Sequence, residues 1–182
     1  MNKPIIDSAL DLASWFLQQS QKEDIFVEDE KLQSLIFLSQ VHYAIQNEKN
    51  ILIPSTFLID EYGVFEPTLA KLQKYKQLKS IPTRIDENIQ LFLEKIWKTY
   101  AFMPVKQIRS HVKSLTKDIE IKDLMTSEIL DFNNLIEKLK IYSKIDTLNT
   151  KNITKNKEGN EKKVLMSQNG PVIVTQWHPR KV

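Results

Sequence analysis

The residues of this chain best suited to chemistry are three histidines, His42, His111 and His178, and the adjacent carboxylates Asp60 and Glu61. Metal binding by imidazole asks for a second ligand one helical turn away, or for cysteine partners. No histidine here has such a companion, and the chain has no cysteine at all. His42 falls inside a long apolar helical pattern, where a hydrogen-bonded residue at the edge of the core is expected. His111 is expected to cap or bond a neighbouring loop. Asp60 and Glu61 are consecutive, and an extended chain sends consecutive side chains to opposite faces, so the two do not converge for acid–base work. Neither a Gly-x-Ser-x-Gly elbow, a glycine-rich phosphate loop nor a His-Glu-x-x-His helix occurs. No catalytic residue, cofactor or metal is expected, and the chain leans toward recognition.

The tryptophans divide by position. Trp15 and Trp97 sit beside apolar stripes and are expected to close a core. Trp177 lies in Thr175-Gln176-Trp177-His178-Pro179-Arg180, beyond a polar stretch and far in sequence from those stripes. An aromatic residue beside arginine is a common interface anchor, so Trp177 and Arg180 are candidate partner contacts. The competing reading has Val172 to Trp177 folding back as an edge strand.

Charge separates along the chain in the same way. The net charge is +3. Residues 150–182 carry +5 of it, from seven basic and two acidic residues, so the preceding body is mildly acidic at −2. Phosphate recognition needs clustered cations, and only the tail offers them. Lysine outnumbers arginine 23 to 3, which favours solvated point charges over bidentate base readers. At 182 residues the chain fits one domain with an appendage. Its apolar runs are far below the ~18 residues of a membrane span. The N-terminus reads without a signal peptide, and a cytoplasmic location is expected.

The expected architecture is mainly α, a compact bundle of five to six helices with a small β-hairpin after the second helix. A first helix is expected from about Asp7, as cap, to Gln19. The second, from about Lys31 to Gln46, has two apolar rows covering most of its circumference, the pattern of a buried central helix. Alternation from Ile51 to Ile59 reads as two short strands or a hairpin. Pro67 opens a helix with Leu69, Leu72 and Tyr75 on one face. Another runs from Ile85 to Tyr100 behind a Thr83/Asp86 capping box, with Ile85, Ile89, Phe92, Ile96 and Tyr100 as its stripe. Pro104 opens a shorter one with Val105, Ile108, Val112 and Leu115 inward. A last helix is expected over Ser127 to Ser143 with Ile129, Phe132, Ile136 and Leu139. These make a helical domain over 1–145, a flexible polar linker over 146–163 and an extended basic segment over 164–182, hairpin-like around Asn169-Gly170.

The order of these parts carries a resemblance. Leu32-Gln33-Ser34-Leu35-Ile36-Phe37-Leu38-Ser39-Gln40, then Tyr62-Gly63-Val64 leading into a helix, resembles the Panacea domain, also called the SocA-like antitoxin domain. Phe92-Leu93-Glu94-Lys95-Ile96-Trp97-Lys98-Thr99-Tyr100 and the later Ser110-His111 resemble two further helices of that family. The likeness covers about Ile6 to Lys117. Val64 stands where the family places proline after the Tyr-Gly pair, and Ser110-His111 lacks the Pro-Trp that commonly follows it there. The resemblance implies an antitoxin or proteolytic adaptor that neutralises a partner toxin by direct contact. Its expected partner-binding residues are Glu61, Tyr62, Gly63, Phe65 and Pro67 around the turn, joined by Trp177 and Arg180 of the tail. The alternative is a DNA-associated regulator that uses the basic tail. No membrane partner is expected, and the oligomeric state is left open.

Overall fold

The computed structural model describes residues 4–48, 50–119 and 126–141, with the backbone of 162–167 and 170–175. It divides into two compact units, Met1–Tyr142 and Ser143–Val182. The first is mainly helical with a small antiparallel sheet, and no helix among the described residues is long and apolar enough to cross a membrane.

The helix α2 (Asp29–Gln46) organises the first unit. Every residue from Lys31 to Val41 is buried, polar ones included, so this helix is enclosed on all sides. Helices α1 (Ala9–Glu23), α4 (Glu87–Tyr100) and α5 (Val105–Leu115) pack around it. Phe37 of α2 and Phe16, Phe57 and Trp97 around it are among the largest fully buried side chains, and Phe16 stacks on Trp97 with ring centroids 6.2 Å apart. Trp97 is wholly buried, and its indole N–H donates to Glu23 at 2.9 Å, which ties the end of α1 to α4. Trp15 is partly buried against the same core.

Helix starts follow local chemistry with small shifts from the expected positions. Ser8, not Asp7, caps α1: its backbone is extended, and its hydroxyl oxygen accepts from the Asp11 N–H at 3.1 Å. Asp86 caps α4 by accepting from the Asn88 N–H at 2.9 Å, so the helix begins at Glu87 and Ile85 precedes it. Pro67 is the first residue of α3 (Pro67–Lys74), whose cap is the buried Glu66. Tyr75, expected on the inward face of α3, lies just past the helix end and is exposed. Pro104 caps α5, with Ile108 and Val112 buried.

The sheet departs most from expectation. Residues 51–57 form no strand. Leu52 and Ile53 are fully buried in irregular chain, and both of their amide N–H groups donate to the Gln40 side-chain oxygen at 3.0 Å. The hairpin lies further on: β1 (Leu58–Asp60) pairs with β2 (Gly63–Phe65) across the Glu61-Tyr62 turn, with Ile59 opposite Val64. A third strand, β3 (Glu128–Ile129), joins the other edge of β1, giving the order β2-β1-β3. The final helix of this unit, α6, therefore covers 132–141 rather than starting at Ser127, and Ile129 is exposed on the sheet rather than buried on a helix stripe.

In the second unit β4 (Lys162–Ser167) pairs antiparallel with β5 (Gly170–Thr175), Leu165 standing opposite Val172. Lys162 and Lys163 belong to this hairpin and not to the linker. The rest of the expected linker, 146–161, lies outside the described residues, as do Trp177, His178 and Arg180.

Candidate functional site

Two glutamines of α2 set the course of the chain that reaches the hairpin turn. Gln40 holds Leu52 and Ile53, as above. Gln33, two turns earlier on the same face of the helix, accepts from the Glu66 N–H at 2.8 Å and donates to the Gln73 side chain at 2.8 Å. Glu66 in turn accepts from the Leu69 N–H at 2.6 Å and from the Ser55 hydroxyl at 2.8 Å. The hairpin is thus clamped at both ends by buried amides. An amide side chain presents donor and acceptor together, so it can pair an irregular backbone that a purely apolar helix would leave unsatisfied.

The turn itself is fixed from two sides. Within it, Asp60 accepts from the Tyr62 N–H at 2.8 Å and the Gly63 N–H at 3.0 Å, an Asx-type arrangement. Gly63 has φ +135°, a conformation that side-chain-bearing residues rarely adopt. From outside, α5 reaches across. Arg109 donates to the Tyr62 carbonyl at 3.0 Å while pairing with Glu30 of α2 at 2.6 Å, and Lys113 donates to the Glu61 carbonyl at 3.2 Å. The Tyr62 side chain is left 69% exposed, so the turn presents an aromatic ring on a held backbone. A hydrogen bond and the adjacent charge of Glu61 push the Tyr62 hydroxyl above the usual phenol range, followed by smaller contributions from burial and Asp60.

Between this hairpin and the two helices lies a cleft of about 140 Å³. Its walls are Gln33 and Ser34 from α2, Tyr62, Val64 and Phe65 from the hairpin, and Arg109, Val112 and Lys113 from α5. A cleft of this size takes one side chain or one small ring, well short of the ~300 Å³ at which drug-sized ligands begin. It shares Glu30, Arg109 and Lys113 with a wider groove along α5 that also includes Val105, Lys106 and Ser110.

Of the residues expected from sequence, the structure brings Tyr62, Gly63 and Phe65 to the cleft. Glu61 stands on the exposed tip of the turn, and Pro67 opens α3 just behind it. Asp60 is occupied with the turn N–H groups, in keeping with its separation from Glu61 as a chemical pair. Arg109 and Lys113, which position the turn, had no signal in the sequence beyond their place on an amphipathic helix.

The histidines meet elsewhere. The Tyr100 hydroxyl lies 2.7 Å from His42 Nε2 and 3.4 Å from His111 Nε2, joining α2, α4 and α5. The His111 ring stacks on Tyr100 with centroids 5.7 Å apart. His42 is held below the usual imidazole range by burial and, secondarily, by His111, while burial raises Tyr100. His42 is a hydrogen-bonded residue at the core edge, as expected; His111 bonds a helix rather than a loop. Among the described residues, no three of His, Asp and Glu gather as a metal set.

Compared with known proteins, the chain matches no family model, no curated protein and no solved structure.

Proposed function

We propose that this chain is a protein-binding module with no chemistry of its own, which neutralises a partner in the manner of an antitoxin or adaptor. The observation that carries the reading is the Glu61–Gly63 turn: an exposed Tyr62 on a backbone fixed by Asp60, Arg109 and Lys113 beside an apolar cleft. A rigid aromatic anchor loses little conformational freedom on binding, and such residues dominate interface energetics. Polar groups around the cleft are engaged within the framework, Asp60, Arg109 and Lys113 with the turn and others with the helices. Ser34 donates to the Glu30 carbonyl at 3.0 Å, and Gln33 to the chain around α3, so neither is presented as a nucleophile or base. The resemblance to the Panacea domain supplies the partner class, a toxin.

Recovery of the tagged full chain from its native cell tests this reading. The expected result is one stoichiometric protein that arrests growth when produced alone and is relieved by co-production of this chain. Relief should fail with Tyr62→Ala. Recovery of DNA, or a partner whose activity is indifferent to this chain, would overturn it.

A further inference from the structure

The cleft and the groove beside it differ in character, and together they describe a partner. Cleft walls at Val64, Phe65 and Val112 are apolar. The adjoining groove runs along one face of α5, where Lys106, Arg109, Ser110 and Lys113 recur at helical spacing. Three cations there face one anion, Glu30, and Glu30 is engaged by Arg109. Among the described residues Lys113 bonds a neutral carbonyl oxygen, that of Glu61, and Lys106 is exposed. The groove along α5 therefore carries three cations against Glu30, beside a slot whose rim holds both signs, Arg109 and Lys113 with Glu30 and Asp60, although the body as a whole is mildly acidic.

We propose that this surface binds an acidic segment of a partner protein, in which an apolar or aromatic side chain enters the cleft and a neighbouring carboxylate pairs with Lys106 and Lys113. This rests on the protein-binding reading above and names its partner chemistry. A nucleic acid fits the same surface less well. Its phosphates are regularly spaced and polyanionic, and Glu30 and Asp60 line the slot, repelling a continuous run of negative charge. A peptide presents one or two carboxylates and can place them clear of those two. It also supplies the apolar side chain that the slot requires and that a sugar–phosphate backbone lacks.

The test is selection of a random-peptide library on the full chain, followed by fluorescence-polarisation titration of the enriched peptide. Asp or Glu beside Phe, Leu or Ile should dominate the selected sequences. Affinity should fall about fivefold in Lys106→Gln/Lys113→Gln, the size expected for two solvent-facing ion pairs. A similar fall should follow Asp→Asn in the peptide, and raised salt should weaken wild type more than the variant. Thermal melting of the double variant checks that it remains folded. Peptides without acidic residues, or binding indifferent to the two lysines but lost with Tyr62→Ala, would overturn the acidic-partner assignment while leaving the protein-binding reading in place. Displacement of the peptide by duplex DNA would overturn it in favour of a phosphate ligand. No enrichment, or binding indifferent to Tyr62→Ala as well, would overturn the assignment and remove this surface from the proposed function.

Discussion

Replacing Gln40 by Met removes an acceptor while keeping the length and bulk of the side chain. In the folded chain the Gln40 carbonyl oxygen takes two amide N–H groups, from Leu52 and Ile53, and both residues are wholly buried. A buried donor left unpaired costs about 1–3 kcal/mol. Two such donors, less about 1 kcal/mol for the more apolar side chain, give a net loss of roughly 1–5 kcal/mol. That is a sizeable part of the ~5–15 kcal/mol typical of a domain. In urea, with a slope of ~2 kcal/mol/M, the midpoint should fall by about 0.5–2.5 M without a change in slope. The loss should also be local. The Leu52 carbonyl accepts from the Ile5 and Ile6 N–H groups, so those amides and the amides of Leu52 and Ile53 should exchange with solvent faster than the rest of the core. A shift below ~0.5 kcal/mol would refute the reasoning, because it would mean that these amides find another acceptor at no cost.

Acidification provides a second test. The folded chain holds His42 below 6.5, so between 6.5 and that lowered value the unfolded chain binds a proton the folded one refuses. Stability should therefore decline as pH falls below about 6.5, and His42→Gln should flatten that slope in urea titrations. Tyr100 is shifted upward, so stability should also be lost as pH rises past about 10. Gly63→Ala meets no atom within 4 Å, so its cost is that of the φ +135° backbone alone, about 1–2 kcal/mol. A melting temperature unchanged within 1 °C would contradict that. A chain ending at Tyr142 should give a cooperative melt close to that of the full chain, because 1–142 forms a compact unit of its own. A broad or absent transition would show that the tail contributes to folding.

Helices α1 to α5 were legible from the sequence because they carry apolar stripes at helical spacing, several with a recognisable start such as Pro67 at the opening of α3, whereas the start of α6 was not. The central position of α2 was legible for a related reason: two apolar rows left no face for solvent. The sheet was not. Ile51 and Ile53 alternate with other residues as a strand would, yet strand pairing there is replaced by the Gln40 side chain, a long-range interaction that alternation cannot reveal. Strand β3 escaped because it is two residues long and is defined by pairing with Leu58 and Ile59, some seventy positions earlier. Tyr62 and Gly63 could be singled out as a turn. That Arg109 and Lys113 would grip its carbonyls depends on how α5 crosses the hairpin, and no local pattern encodes it.

The enclosure of α2 has a bearing on how the protein is made. A helix buried on every side has no solvent-facing surface to show while its packing partners are still unmade, and α4 and α5 follow it by 41 to 69 residues. At ~5–20 residues per second, the ribosome takes about 3–14 s to progress from the end of α2 to the end of α5. Until α4 and α5 emerge, α1, the hairpin and α3 can cover only part of the surface of α2, including Leu35, Ile36, Phe37 and Leu38. Chains interrupted before α4 should therefore be captured by chaperones or proteases, and the yield of folded protein should depend on translation speed across residues 47–115.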